Sequence, residues 1–259
     1  MSIEYLLTTE KRQYDQITRP ETINHTFAVS KEDMKLIEHE LTKIGCEELQ
    51  ELQDFSQELL EVIIQLLKIH HYKHQYKTST FMRTVWALIQ FSVNMRLDIV
   101  DIPMDYIFLQ IWQPLPVSDR KSAKLAKETE RLEIAAIQES LMKDLKYDIN
   151  IVTIYDFIKP LLSDICSFPN AEYCRHIVLA IHKISLDLLV SCNTLPIPYP
   201  SRFAVLSILI YIYLKGRNNV FPNPFNYYIS RFSNILDLPD DYTMWKFKKM
   251  LAIYSIVKS

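Results

Sequence analysis

Apolar residues recur along most of this chain at intervals of three and four, the period of a helix with one face turned inward. From Leu49 to His71 the positions are Leu52, Phe55, Leu59, Leu60, Val62, Ile63, Leu66 and Leu67. Thr78 to Met95 repeats the pattern through Phe81, Val85, Trp86, Leu88, Ile89 and the small Ser92. Asp101, with Pro103 behind it, predicts a helix start, and Met104, Ile107, Phe108 and Ile111 carry that helix towards Pro114. Glu128 to Tyr147 is a long amphipathic segment, and Val152 to Ile165 is another, with a kink or a fresh start expected at Pro160. Asn170 can cap a helix reaching Cys192. Ser201 to Lys215 is strongly apolar and stops at Gly216, and two more helices are expected near Phe225 to Asn234 and Asp240 to Val257.

The remainder is punctuation. Residues 1–29 are polar, without a period, and are expected to form an arm. Ser30 and Asp33 form an S-x-x-D capping box that opens a helix running to about Ile44, with Gly45 as its stop. Val117 to Lys127 reads as an exposed connection, and Thr194 to Pro200, with three prolines, as an extended link. No stretch alternates long enough to demand a strand, so the fold class is all-α with about nine or ten helices. Two segments, Phe81 to Phe91 and Phe203 to Leu214, carry more apolar residues than one stripe requires, and Met104 to Trp112 competes with the first of them. Helices of that kind sit inside bundles, so two bundles with two centres are expected.

Composition narrows the chemistry. Among 259 residues there are two glycines, Gly45 and Gly216, so no glycine-rich phosphate loop can be written in this sequence. The formal net charge is -2, and direct nucleic-acid contact is not expected. Lys246, Lys248 and Lys249 form one local basic cluster, read first as a solvated helix face. The four cysteines lack C-x-x-C spacing and fit free thiols in a reducing compartment. Met1 to Arg12 lacks a signal-peptide pattern, and the longest apolar run, Val205 to Leu214, is far short of a membrane span. An intracellular protein, nuclear or cytoplasmic, is expected.

No catalytic constellation emerges. His70 and His74 lie one helical turn apart beside His71, but they lack the further ligands that a zinc site needs. Glu128, Glu130 and Glu133 alternate with Lys127 and Arg131, as on a solvated face. Cys174 and His176 are two residues apart and point to different faces of a helix. The late tyrosines Tyr211, Tyr213, Tyr227 and Tyr228 lack interleaved basic residues and read as core or partner interface. Neither an enzyme nor a cofactor or metal site is expected.

Four segments, in order and separation, resemble the cyclin family. TSTFMRTVWALIQFSVN is similar to the cyclin helix rich in alanine or valine, and DYIFLQIWQPLP to the segment written FLAsKveE. RLEIAAIQESLMKDLKYDINIVTIYDFI resembles E..iL..LgFdl....p..fl, and PYPSRFAVLSILIYIYLKG resembles the second-box helix. The likeness covers about residues 50–216. It implies tandem cyclin-like helical bundles with an extra N-terminal helix: 1–48 as arm and helix, 49–166 as the first box and 167–259 as the second. It further implies a regulatory subunit that binds and activates a cyclin-dependent protein kinase, by moving the kinase's glutamate-bearing helix inward. The alternative is a kinase-independent scaffold of the same fold that grips another protein or a peptide.

The implied partner-binding residues are Trp112, Gln113, Gln138, Glu139, Tyr147 and Ile149. Trp112 falls where the family has its lysine, and Gln113 follows it near the helix end. Gln138, with Glu139 beside it, falls where the family has a glutamate. Tyr147 keeps the family's aromatic, and Ile149 its apolar neighbour. The two family charges are thus replaced, one of them by a tryptophan suited to a hydrophobic anchor.

Overall fold

A computed structural model describes residues 2–17, 32, 35–37, 39, 52–73, 81–96, 120–145, 151–191 and 199–258. Among these residues there is no strand, residues 32, 35–37 and 39 are helical, and nine longer helices are traced. They are α1 (Ile3–Ile17), α2 (Leu52–Lys73), α3 (Phe81–Arg96), α4 (Arg120–Asp144), α5 (Ile154–Ile165), α6 (Ala171–Ser191), α7 (Pro200–Lys215), α8 (Phe225–Ile235) and α9 (Asp240–Lys258). The all-α class expected from the apolar period therefore holds for the described chain. Residues 32, 35–37 and 39, within the helix expected over 30–44, are helical, while the rest of that span, the helix expected over 101–114 and most of the link before Pro200 lie outside the described residues.

Two compact units are present, Met1–Thr18 with Val152–Ser259, and Arg19–Ile151. The sequence puts its boundary after residue 166, whereas the contacts change at 151/152. The cause is α5. Its buried face of Ile154, Phe157, Ile158, Leu161, Leu162 and Ile165 packs against α6 and α7.

The first unit is built round α7. Pro200 stands in the first turn, where its missing N–H costs nothing, and Gly216 ends the helix at φ 65°. Phe203 through Ile210 are all buried, because α1, α5, α6, α8 and α9 all pack against this helix. Each large apolar side chain so enclosed contributes about 1.5–3 kcal/mol over an exposed one. Tyr199 at the N-cap makes no side-chain cap bond. That task falls to α1. Glu10, 4% exposed, accepts the Ser201 amide at 2.7 Å and the Ser201 hydroxyl at 2.6 Å. Burial raises the Glu10 carboxyl above its usual range, against the Ser201 hydrogen bonds and the nearby Arg202 charge, which lower it. Three residues on, Gln13 accepts the Val152 amide at 3.2 Å.

Residues 3–17 are therefore a docked helix and not an arm, with Leu6, Thr9 and Glu10 turned inward. The polar character that hides this helix in the sequence is what attaches it. A second correction concerns 120–127, expected as a connection and found as the first turns of α4. Its Lys, Ala and Leu residues are strong helix formers, and propensity prevails there over the polar look of the segment.

Local signals set the other termini. Thr153 caps α5 in a capping box, its hydroxyl accepting the Asp156 amide while Asp156 accepts the Thr153 amide at 2.8 Å. Pro160 neither breaks nor restarts α5, which runs unbroken from Ile154 to Ile165. The one amide bond that proline removes is outweighed by the apolar face buried around it. Asn170 does cap α6, accepting the Tyr173 amide at 2.7 Å. After α8 the chain turns through Asp237 at φ 50°, and the Leu238 amide reaches back to the Ser233 carbonyl at 2.9 Å. That is a Schellman stop with aspartate in the left-handed position. Arg231 on α8 grips Asp164 of α5 with two bonds of 2.6 Å, and Lys258 at the end of α9 meets Asp187 of α6 at 2.6 Å.

In the second unit α2, α3 and α4 pack against one another. Thr84, Val85, Ala87, Leu88, Ile89, Phe91 and Ser92 of α3 are buried, as expected for a central helix. Helix α2 shares that role, since every residue from 59 to 67 is buried. This run includes Glu61 and Gln65, and the Gln65 amide donates to the Glu61 carboxylate at 2.7 Å. Arg83 of α3 pairs with Glu133 of α4 at 2.6 Å.

Candidate partner-binding surface

Of the six residues that the sequence singles out, Gln138 and Glu139 are described, while Trp112, Gln113, Tyr147 and Ile149 lie outside the described residues. Both stand on α4. Successive helix positions are about 100° apart, so neighbours in sequence serve different faces. The half-buried Gln138 turns inward, and its amide donates to the Ala87 carbonyl of α3 at 3.3 Å. It helps hold α4 onto α3. Glu139 is exposed and pairs with Lys143 one turn on, at 2.6 Å. The hydrogen bond from Lys143 holds its carboxyl below the usual range.

Glu139 shares its face with the exposed Leu132, Ala135 and Ala136, and with Lys143. Leu132 is 67% exposed. A carboxylate on an apolar helix stripe can take a cation from a partner while the stripe takes a hydrophobic side chain. Gln138 offers no such contact in this arrangement, because its amide is committed to the interior.

The first unit carries a surface that the sequence reading noticed only in part. Lys246, Lys248 and Lys249 stand on α9 around Trp245, which is 54% exposed, and Tyr242, which is 36% exposed. The two rings lie 6.0 Å apart between centroids. The signal was available as Tyr242 and Trp245 spaced three apart on an amphipathic helix. Nothing in the sequence told which face of α9 points outward until the packing of Phe247 and Met250 fixed it.

Among the described residues no group of three or more His, Cys, Asp or Glu could hold a metal ion. His74 of the histidine cluster lies outside them. Cys166 donates its thiol to the Leu162 carbonyl at 3.1 Å, and burial, with Cys174 nearby, pushes its pKa up to about 12. A thiol so held is a poor nucleophile. No described helix is long and apolar enough to cross a membrane. No known family model matches the chain, and none of the curated proteins does.

Proposed function

We propose that this protein is a cyclin-like regulatory subunit that binds a cyclin-dependent protein kinase and activates it. The observation that carries the reading is α7. The segment PYPSRFAVLSILIYIYLKG, similar to the second-box helix of cyclins, forms a helix buried along 203–210 with five helices packed on it. A central apolar helix inside a ring of helices is the arrangement that the resemblance implies. Such a subunit does no phosphoryl transfer. It would act by holding the kinase's glutamate helix inward so that the lysine–glutamate pair forms. In this reading Trp112, Tyr147 and Ile149 supply the apolar contact, and Glu139 supplies a charge from its exposed face.

A second reading keeps the fold and changes the partner: a scaffold that grips another protein without a kinase. The inward turn of Gln138 towards Ala87 favours it, since the residue at the family's glutamate position then serves the interior. Co-purification of the full chain against a panel of cyclin-dependent kinases separates the two. Retention of at least one kinase, weakened by Tyr147→Ala, supports the regulatory subunit. Failure of every kinase to bind rejects it.

A further inference from the structure

Helix α9 is anchored by one face and displays another. Thr243, Phe247 and Met250 are buried, while Tyr242, Trp245, Lys249 and Ala252 form an exposed line at intervals of three, four and three. That spacing makes a straight seam along the helix, the shape onto which a second helix packs side by side. The seam is both aromatic and cationic. The Lys246 ammonium stands 5.1 Å from the Trp245 centroid and 5.6 Å from that of Tyr242. The Lys249 ammonium stands 5.7 Å from the Trp245 centroid. Lysine stems thus lie along the rings while their charges are held at the ring faces, ready for a carboxylate. Lys248, which is exposed, adds a third cation to the half-buried Lys246 and the exposed Lys249. Asp240, which accepts from the Ser230 hydroxyl, and Asp241 lie in the first turn, and the three lysines outnumber these two carboxylates.

We propose that this outward face of α9 docks an acidic amphipathic helix of a partner protein. The partner sets leucine or phenylalanine against Trp245 and Tyr242, and its flanking glutamates meet Lys246, Lys248 and Lys249. Charge and seam geometry select this occupant. The glutamates of an acidic helix reach ammoniums already held at the aromatic rings, and a single-stranded nucleic acid is the other outcome of the test. The inference goes beyond the kinase reading, because none of the residues invoked there takes part and no kinase is needed to test it.

The test is fluorescence anisotropy with the full chain and a labelled amphipathic peptide of about 18 residues, leucines at a and d, glutamates at e and g. A second peptide carries lysine in place of each glutamate, and a third probe is an oligonucleotide of about 15 deoxythymidines. The glutamate peptide is expected to bind saturably and to weaken several-fold between about 50 and about 300 mM salt. Trp245→Ala should weaken it by about tenfold or more. The double variant Lys246→Glu with Lys249→Glu should lose the glutamate peptide and gain the lysine one. Circular dichroism of each variant checks that α9 remains folded. Equal binding of the two peptides, indifference to both variants, or tighter binding of the oligonucleotide through Trp245 would each overturn the proposal.

Discussion

Replacing Glu10 tests the tertiary cap that ties α1 to the start of α7. In Glu10→Ala the Ser201 amide and hydroxyl both lose their acceptor in a buried site, and Tyr199 has no cap to offer instead. Each donor left unsatisfied costs about 1–3 kcal/mol. Part of that is returned, since the variant no longer buries a carboxylate, so a net loss of about 2–4 kcal/mol is expected. Glu10→Gln keeps one acceptor oxygen and should cost less, about 1–2 kcal/mol. Urea unfolding followed by circular dichroism measures both. Hydrogen exchange at the α1 amides shows whether the helix detaches before the unit unfolds.

The pH dependence gives an independent check on sign. Burial raises the Glu10 carboxyl in the folded state, so the folded protein holds that proton more tightly than the unfolded chain. Its contribution is fully present below the ordinary glutamate range and is lost as pH rises through the raised folded value. The stability gap between the wild type and Glu10→Gln, which cannot titrate, should therefore be widest in acid and narrow towards neutrality. A gap that widens as pH rises, or Glu10→Ala unfolding at the wild-type urea midpoint, would refute the cap.

Three further substitutions probe the same unit. Asp237→Gly relieves the left-handed position after α8 and should stabilise by about 0.5–1 kcal/mol, read as a rise in Tm, while Asp237→Val should lower it. Thr153→Ala removes the hydroxyl from the α5 capping box and should cost about 1–2 kcal/mol in urea unfolding. A double-mutant cycle on Asp164 and Arg231 should return a coupling of about 0.5–1 kcal/mol that shrinks in salt, since the fork is well formed but part-exposed.

Where apolar residues decide an element, the sequence was legible. Helix α7 and its glycine stop, the Asn170 cap and the two C-terminal helices follow directly from periodicity and capping chemistry. Helix α1 was not legible, because its inward positions include Glu10 and Gln13, and a polar face looks solvated until Ser201 and Val152 are seen opposite it. The unit boundary was missed for a related reason. Helix α5 is apolar on its inner face, and that face does not say which neighbours it will meet. At the candidate surface, the lysines of α9 were visible while their role was not, because periodicity locates a stripe without telling which stripe faces out. The opposite orientations of Gln138 and Glu139 likewise depend on where α3 lies.

The most direct test of the regulatory reading is the phosphorylation rate of a fixed amount of a retained kinase as the full chain is titrated in. The account predicts a saturable rise from a low basal rate, diminished when Glu139→Lys is used. A rate that stays flat while the chain is bound would contradict activation and leave the scaffold reading in its place.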